Sequence, residues 1–225
     1  MKKFIFIAAL ALLTINVNAQ FTGGSSNVDL TILDTRVKEM GKYADVKTGV
    51  PFVLKDWSPG AITANGKVQK EELMLKYDEV DDGLLVQGEG NTVKKFSLPI
   101  EAFTIKDGSK ARVFVSGFKP TKNANSNAYY EVIADGKVKL LRKNFKKISE
   151  YKEYSGATAK VIKDDVQYFV VSSDNQPTPI KLDQKSILEV LSDKGAVVEE
   201  HIKANKLNLK KENDVVALFQ FYNKS

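Results

Sequence analysis

Basic side chains are densest in residues 137–152, where seven Lys or Arg residues alternate with hydrophobic ones. Phe145 and Tyr151 lie within the same stretch. Cationic and aromatic side chains together bind polyanions, because the cations contact phosphates or carboxylates while the rings stack on bases or sugars. The candidate binding residues, which we expect to share one positive face, are Lys139, Arg142, Lys143, Lys146 and Lys147. The alternative hypothesis is a solvated edge strand whose lysines block pairing with another sheet.

One tryptophan and one histidine are the next candidates. Trp57 lies just before Pro59 and Gly60, so it is either a binding platform on which a sugar stacks or a plug that closes one end of a β-core. His201 could act as a general base or a metal ligand only with partners at a suitable spacing, and the sequence offers none. We interpret His201 as a surface residue of a helix, beside a Glu199–Lys203 pair. We therefore predict no catalytic residue and no metal site.

Carboxylates occur as adjacent pairs, which would support acid–base chemistry only if acids from separate elements met. Two carboxyl groups roughly 5–9 Å apart support glycoside hydrolysis, whereas neighbours on one strand point to opposite faces. The sequence has such pairs at 81–82, 164–165 and 199–200. We interpret the first two as turn residues, because Asp side chains accept hydrogen bonds from nearby backbone amides.

Motifs of the common enzyme classes are absent from the sequence. It contains no nucleophile elbow, no phosphate-binding loop and no His-Glu-x-x-His helix. It also has no cysteine, which excludes disulfides, thiol nucleophiles and Cys-ligated metals. We expect no cofactor. The net charge of +6 has two interpretations: it attracts the protein to anionic surfaces, or it only keeps the protein soluble.

Residues 1–19 have the three parts of a secretory signal peptide. A basic n-region precedes an apolar run over residues 4–15. Residues of small or moderate size, Val17 and Ala19, occupy the −3 and −1 positions of a cleavage site before Gln20. A lipoprotein would carry its lipid on a cysteine at the position of Gln20. We therefore expect an exported protein, periplasmic or secreted, with no lipid anchor and no membrane span in its mature form. Residues 20–28 are rich in Gly and Ser, which is typical of a flexible segment.

Residues 29–183 are predicted to form an antiparallel β domain. Their hydrophobic pattern has mostly period two, and turn dipeptides recur about every ten residues, as in a meander. The hairpin dipeptides are Asn65-Gly66, Asp82-Gly83, Asp107-Gly108 and Asp135-Gly136. Short strands are predicted at 50–54, 159–162 and 166–172, among others. The predicted fold is mainly β, a curved antiparallel sheet or an open barrel.

Residues 184–225 are predicted to form a C-terminal helical segment packed on the β domain. The hydrophobic period changes there to that of a helix and indicates three short helices. The first begins after Asp183, which is a candidate N-cap, or at a capping box that starts at Ser186. The second spans about 195–205, and the third starts near Glu212. Helices this short must dock their apolar faces to be stable.

Several short motifs carry a resemblance to a known group. They are Gly49-Val-Pro-Phe52, Trp57-x-x-Gly60, Asn65-Gly-Lys67, Leu75-Lys-Tyr77, Asp82-Gly-Leu84, Tyr130-Glu-Val132, Asp135-Gly-Lys-Val-Lys-Leu-Leu141 and Phe221-Tyr-Asn223. Together they resemble a pattern found in small exported β-rich proteins of Bacteroidota-type bacteria, a group with no assigned activity. The resemblance implies the same fold and compartment. Its motifs are turns and strands, so it implies no mechanism.

These observations favour a non-enzymatic envelope protein that binds a partner protein or an anionic envelope ligand such as a glycan, with no nucleic acid expected as a partner. One alternative is a cell-wall or polysaccharide hydrolase that uses paired carboxylates which the sequence does not identify. Another is a structural or assembly component of an outer-membrane or secretion complex.

We predict cleavage between Ala19 and Gln20, because this bond follows the small residue of the signal-peptide pattern. Mass spectrometry of the protein expressed with its native N-terminus should find Gln20 first and no acyl chain. A retained leader or an attached lipid would contradict the prediction.

Overall fold

The computed structural model describes residues 32–34, of which it gives the backbone path, together with 41–69 and 72–225. The predicted signal peptide and the predicted flexible segment 20–28 lie outside the described residues. In the described part of the chain, no helix has the length and apolar character needed to cross a membrane.

Thirteen strands within the described residues form a single sheet. Their order across the sheet is β1-β7-β6-β5-β3-β8-β9-β10-β11-β12-β13, with β4 paired to β3 and β2 paired to β12. Their bounds are β1 Ile32–Asp34, β2 Val46–Thr48, β3 Ser58–Ala64, β4 Lys67–Val68, β5 Leu73–Asp78, β6 Gly83–Gln87, β7 Val93–Phe96, β8 Ala102–Asp107, β9 Lys110–Val115, β10 Tyr130–Ala134, β11 Lys139–Lys152, β12 Thr158–Val171 and β13 Thr178–Ile180. The mainly β fold with an open sheet is confirmed. The pairing of β2 with β12 is parallel, so the sheet is mixed and not purely antiparallel.

The four predicted hairpin dipeptides all lie where one strand turns into the next. They connect β3 to β4, β5 to β6, β8 to β9 and β10 to β11. Asn65 and Gly66 both have positive φ, at 50° and 68°, as a type I′ turn requires. Local turn chemistry therefore defines these strand ends.

Three predicted strands differ from the structure. The two predicted at 159–162 and 166–172 form one long strand, β12, which ends at Val171 and pairs with β11 in unbroken register from Lys139↔Val171 to Lys152↔Thr158. Asp164 and Asp165 therefore lie inside this strand, because Asp164 faces Lys146 across the pair and does not turn the chain. Residues 50–54 form a loop held to β5 by one bridge, Phe52↔Asp78.

The three predicted C-terminal helices are confirmed. They are α1 Gln184–Val190, α2 Gly195–Asn205 and α3 Glu212–Lys224. Asp183 is the N-cap of α1, where its Oδ1 accepts a hydrogen bond of 2.8 Å from the backbone N–H of Ser186. Short 3₁₀ turns span Glu89–Asn91 and Ser192–Lys194.

The helices share a hydrophobic core with one face of the sheet. Fully buried side chains of all three helices pack against Leu140 of β11 and Val170 of β12. The members from the C-terminal helical segment are Ile187, Leu191, Val198, Val215, Leu218, Phe219 and Tyr222. The opposite face of β10–β12 packs against the loop over 116–129 through Phe118 and Ala128. A third cluster is formed by side chains of β3, β5, β6, β8 and β9.

We predict that a chain truncated after Asp183 loses cooperative unfolding, since it exposes Leu140 and Val170 and removes their helical partners. In the full chain, Leu218→Ala should lower the free energy of unfolding by about 2–5 kcal/mol. The control is Val197→Ala on α2. The side chain of Val197 is 47% exposed, so this substitution should change the free energy of unfolding by less than about 0.5 kcal/mol. Urea denaturation followed by circular dichroism measures the stability of the truncated chain and of both variants. A truncated chain as stable as the full one would contradict the prediction.

Candidate functional site

Charged side chains form a row across neighbouring strands of the sheet. Glu131 on β10 lies in register with Phe114 on β9 and with Arg142 on β11. Its carboxylate accepts hydrogen bonds from Nε and Nη2 of Arg112, at 2.9 and 2.8 Å, and from Nε of Arg142 at 3.0 Å. Nη1 of Arg142 also donates to both carboxylate oxygens of Glu212, at 3.0 Å each. Because Glu212 opens α3, the row links three strands to the helical layer.

Burial and ion pairing act in opposite directions on Glu131. Its side chain is 8% exposed, and burial disfavours the charged form. The hydrogen bonds and charges of Arg112 and Arg142 outweigh burial and hold the pKa of Glu131 below its ordinary value. Tyr168 on β12 lies in register with Arg142 and donates to Glu212 at 2.8 Å. Burial first, and then this hydrogen bond, raises the pKa of Tyr168 to about 12. Both groups therefore keep one protonation state near neutral pH, as in a structural charge cluster.

A cavity of about 430 Å³ lies beside this row. Its size falls within the range of about 300–1,000 Å³ that small-molecule sites occupy. Part of its wall is aromatic or aliphatic and the rest is charged or amide-bearing. It is lined by Val53, Tyr77, Glu79, Arg112, Phe114, Tyr129, Glu131, Arg142, Lys143, Asn144, Lys146, Asp164 and Val166.

Asn144 brings two acids together at one end of the cavity. Its Nδ2 donates to Oε2 of Glu79 at 3.3 Å and to Oδ1 of Asp164 at 3.0 Å. Nζ of Lys146 lies 2.9 Å from Glu79 and 3.6 Å from Asp164, and it also donates to the carbonyl of Val50. The Oδ1 atom of Asn144 is buried and has no hydrogen-bond partner in the described part of the chain. This end of the cavity therefore presents a fixed set of acceptors, one of which is unsatisfied.

A second buried network supports the same wall from the β5–β6 turn. The hydroxyl of Tyr77 donates to Oδ1 of Asp82, and Nζ of Lys143 donates to Oδ2 of Asp82 at 2.8 Å. Lys143 also donates to the carbonyl of Tyr129 at 2.9 Å. Burial first, with the charge of Asp82, raises the pKa of Tyr77 and of Tyr129 well above ordinary values. The first predicted carboxylate doublet does lie at a turn, as expected, but Asp82 also anchors a lysine of β11.

The predicted basic residues do not share one positive face. Successive side chains of a strand point to opposite sides, so Arg142 and Lys146 project from one side of β11 and the other three from the opposite side. Four of the five are also ion-paired: Lys139 with Asp135, Arg142 with Glu131 and Glu212, Lys143 with Asp82, and Lys146 with Glu79. Lys147 is exposed and, among the described residues, has no ion pair. Whether these residues bind a ligand stays a prediction.

Trp57 lies away from the cavity and contacts a lysine. Nζ of Lys76 is 5.3 Å from the centroid of the Trp57 ring and 4.7 Å from that of Phe52. Lys76 is buried, and burial lowers its pKa. Because the ammonium group occupies part of the indole face, this contact favours the packing interpretation of Trp57 over the sugar platform.

His201 lies on α2, and the Glu199–Lys203 pair beside it measures 3.8 Å. Its ring stacks on Phe221 of α3 with centroids 3.6 Å apart, so its surroundings are those of a helix contact. In the described residues, no group of three or more His, Cys, Asp or Glu side chains could hold a metal ion.

Sequence patterns missed the central members of the site, Arg112 and Glu131. A signal was present, since Glu131 interrupts the hydrophobic stretch around Tyr130 and Val132. A buried charge of this kind requires a partner, but the sequence does not say which arginine supplies it.

We predict that Glu131→Gln lowers the free energy of unfolding at pH 7 by roughly 3–5 kcal/mol, because it leaves Arg112 and Arg142 without their shared carboxylate. Since the pKa of Glu131 is lowered in the folded state, its contribution is present above the ordinary pKa of 4.5 and is lost as the pH falls through the folded-state value. The difference between the two proteins should therefore shrink below pH 4.5.

The control variant is Glu199→Gln, which removes the same charge from an exposed pair and should cost well under about 1 kcal/mol. Urea titrations at several pH values measure both variants. Equal stability of Glu131→Gln and the unmodified chain at pH 7 would contradict the prediction.

Comparison with known proteins adds no assignment. No family model, no curated protein and no solved structure matches this chain.

Proposed function

We propose that this chain is an exported, non-enzymatic binding protein whose ligand is a hydroxyl-rich envelope molecule, such as a glycan, held in the cavity beside Glu131. The export component of the proposal rests on the signal-peptide pattern of residues 1–19. The binding component rests on the cavity.

The unsatisfied Oδ1 of Asn144 is the observation that carries the proposal. A buried acceptor without a partner costs about 1–3 kcal/mol, and a ligand hydroxyl that displaced the atoms covering it and donated to it would recover this energy. Glu79 and Asp164 lie beside it as further acceptors, and both are already held in position by Asn144 and Lys146. A set of several neighbouring acceptors favours a ligand that offers several O–H donors.

The apolar part of the wall supports the same ligand class. Phe114, Tyr129 and Val53 line the cavity next to the polar groups. A sugar ring has apolar C–H faces and a polar rim of hydroxyls, so it matches walls that alternate in this way. The ion-paired cations of β11 contribute fixed geometry here, because their charge is neutralised by neighbours.

A glycan hydrolase is the second candidate, because Glu79 and Asp164 come from different elements and meet at Asn144. Glycoside hydrolysis needs one carboxyl kept protonated, usually by an apolar setting. Here both acids contact an amide and an ammonium group, and the third acid, Glu131, lies between two arginines. This arrangement supports binding better than catalysis.

Isothermal titration calorimetry of the mature protein with soluble peptidoglycan fragments tests the proposal. We predict saturable binding that Asn144→Ala weakens by about tenfold or more, since one buried hydrogen bond of 1.4 kcal/mol corresponds to a factor of ten. The control is Asn127→Ala, an exposed asparagine outside the cavity. Thermal melting of both variants verifies that they are folded.

The same mixtures, assayed for new reducing ends, separate the two candidates. No release of reducing ends is expected. Release that Asp164→Asn abolishes would overturn the binding proposal in favour of the hydrolase. Absence of binding, or equal binding by the Asn144 and Asn127 variants, would also contradict it.

A further inference from the structure

A second, larger depression adjoins the cavity on the same face of the sheet. It has a volume of about 1110 Å³ and lies between β12, β13 and α1. Val166 of β12 lines both depressions and is 47% exposed. The two therefore meet at this residue and together form a groove on this face of the sheet.

The groove runs across the strands. Glu131, Arg142, Tyr168 and Ile180 lie in register on β10, β11, β12 and β13. With β9 at its other end, the face covers four inter-strand spacings, or about 19 Å at about 4.8 Å each. This length suits a short chain-like ligand better than a single compact molecule.

Lysines without partners distinguish the second part of the groove from the first. Lys181, Lys185 and Lys210 line it and are exposed, and among the described residues their ammonium groups have no ion pair. Two acids, Asp183 and Glu189, line the same depression without forming an ion pair among the described residues, and Asp183 is occupied as the N-cap of α1. By contrast, Arg142 and Lys146 in the first cavity are neutralised by acids within 3.0 Å. The positive charge available to a ligand is therefore at the far end of the groove.

We propose that the ligand is an elongated acidic glycan, which occupies the cavity at Asn144 and extends past Val166 so that its carboxylates contact Lys181, Lys185 and Lys210. This inference rests on the proposed function and adds the charge and length of the ligand. Pro179, Ile180 and Leu182 provide apolar contacts for the sugar rings between the lysines. The groove is open along its length, which suits a hydrated chain, whereas an acyl chain would need an enclosed apolar tunnel.

Binding of tetragalacturonate, compared with the neutral tetrasaccharide maltotetraose, tests the inference. The test variant replaces Lys181, Lys185 and Lys210 with Gln. The control variant replaces Lys67, Lys110 and Lys119 with Gln, which removes the same charge from exposed sites outside both depressions. We expect the test variant to bind tetragalacturonate at least tenfold more weakly and with a smaller salt dependence, because each lost contact removes a screened Coulomb attraction. The control variant should bind it as the unmodified protein does.

Other outcomes overturn the inference in distinguishable ways. If maltotetraose binds as tightly as tetragalacturonate, and Asn144→Ala weakens both, the proposed function stands and the acidic ligand is wrong. If both triple variants weaken binding equally, the effect is net charge and the groove assignment is wrong. Binding of tetraglutamate as tight as that of tetragalacturonate would assign the groove to an acidic peptide instead. If no glycan binds at all, the proposed function fails as well.

Discussion

Glu131 is held between the guanidinium groups of Arg112 and Arg142, and the two halves of the sheet meet at this carboxylate. In the described part of the chain, β9 and β10 pair at two positions, Tyr130↔Val115 and Glu131↔Phe114. A junction with so few backbone contacts depends on its side chains. A buried charge is tolerated only when it is paired and hydrogen-bonded, so the position of Glu131 requires both arginines and, through Arg142, the position of Glu212 on α3. The need to pair the buried Glu131 therefore constrains the sheet, the helical layer and the wall of the cavity together.

Ion pairing also decides which cations of the chain are already engaged within the protein. On β11 the cations closest to the cavity stabilise the fold. Lys146 binds Glu79 and two backbone carbonyls. Lys143 binds Asp82 and one backbone carbonyl. Their removal would leave Glu79 and Asp82 without a cation, and for the buried Glu79 this costs more than the loss of an exposed charge. The lysines around α1 make no such contacts among the described residues. The cations of the dense basic stretch on β11 are therefore mostly ion-paired, whereas the lysines around α1 have no ion pair among the described residues.

The cavity exists because side chains from distant segments stop short of filling it. The loop over 50–53 lies against the middle of β11, where Lys146 donates to the carbonyls of Val50 and Phe52. The β5–β6 turn contacts β11 through Glu79 and Asp82, and the backbone N–H of Glu79 donates to the carbonyl of Pro51 in the loop at 2.9 Å. These polar, directional contacts fix the loop and the turn against β11, while the hydrophobic clusters pack elsewhere. The acceptors that line the cavity are therefore held in position by contacts within the protein.

Local sequence patterns determined the strands with turns between them, the three helices and the cap at Asp183, because period, turn residues and caps act over a few neighbouring residues. The same patterns misplaced Asp164 and Asp165, since a charged residue inside a strand looks like a turn until its partner Lys146 is known. Only the tertiary structure decided which charges are neutralised and where the cavity lies. Lys143 meets Asp82 across 61 residues, and Asn144 meets Glu79 across 65. Such pairings follow from the register of strands that are far apart in the chain, and that register is set by packing of the whole sheet and not by any short stretch of sequence.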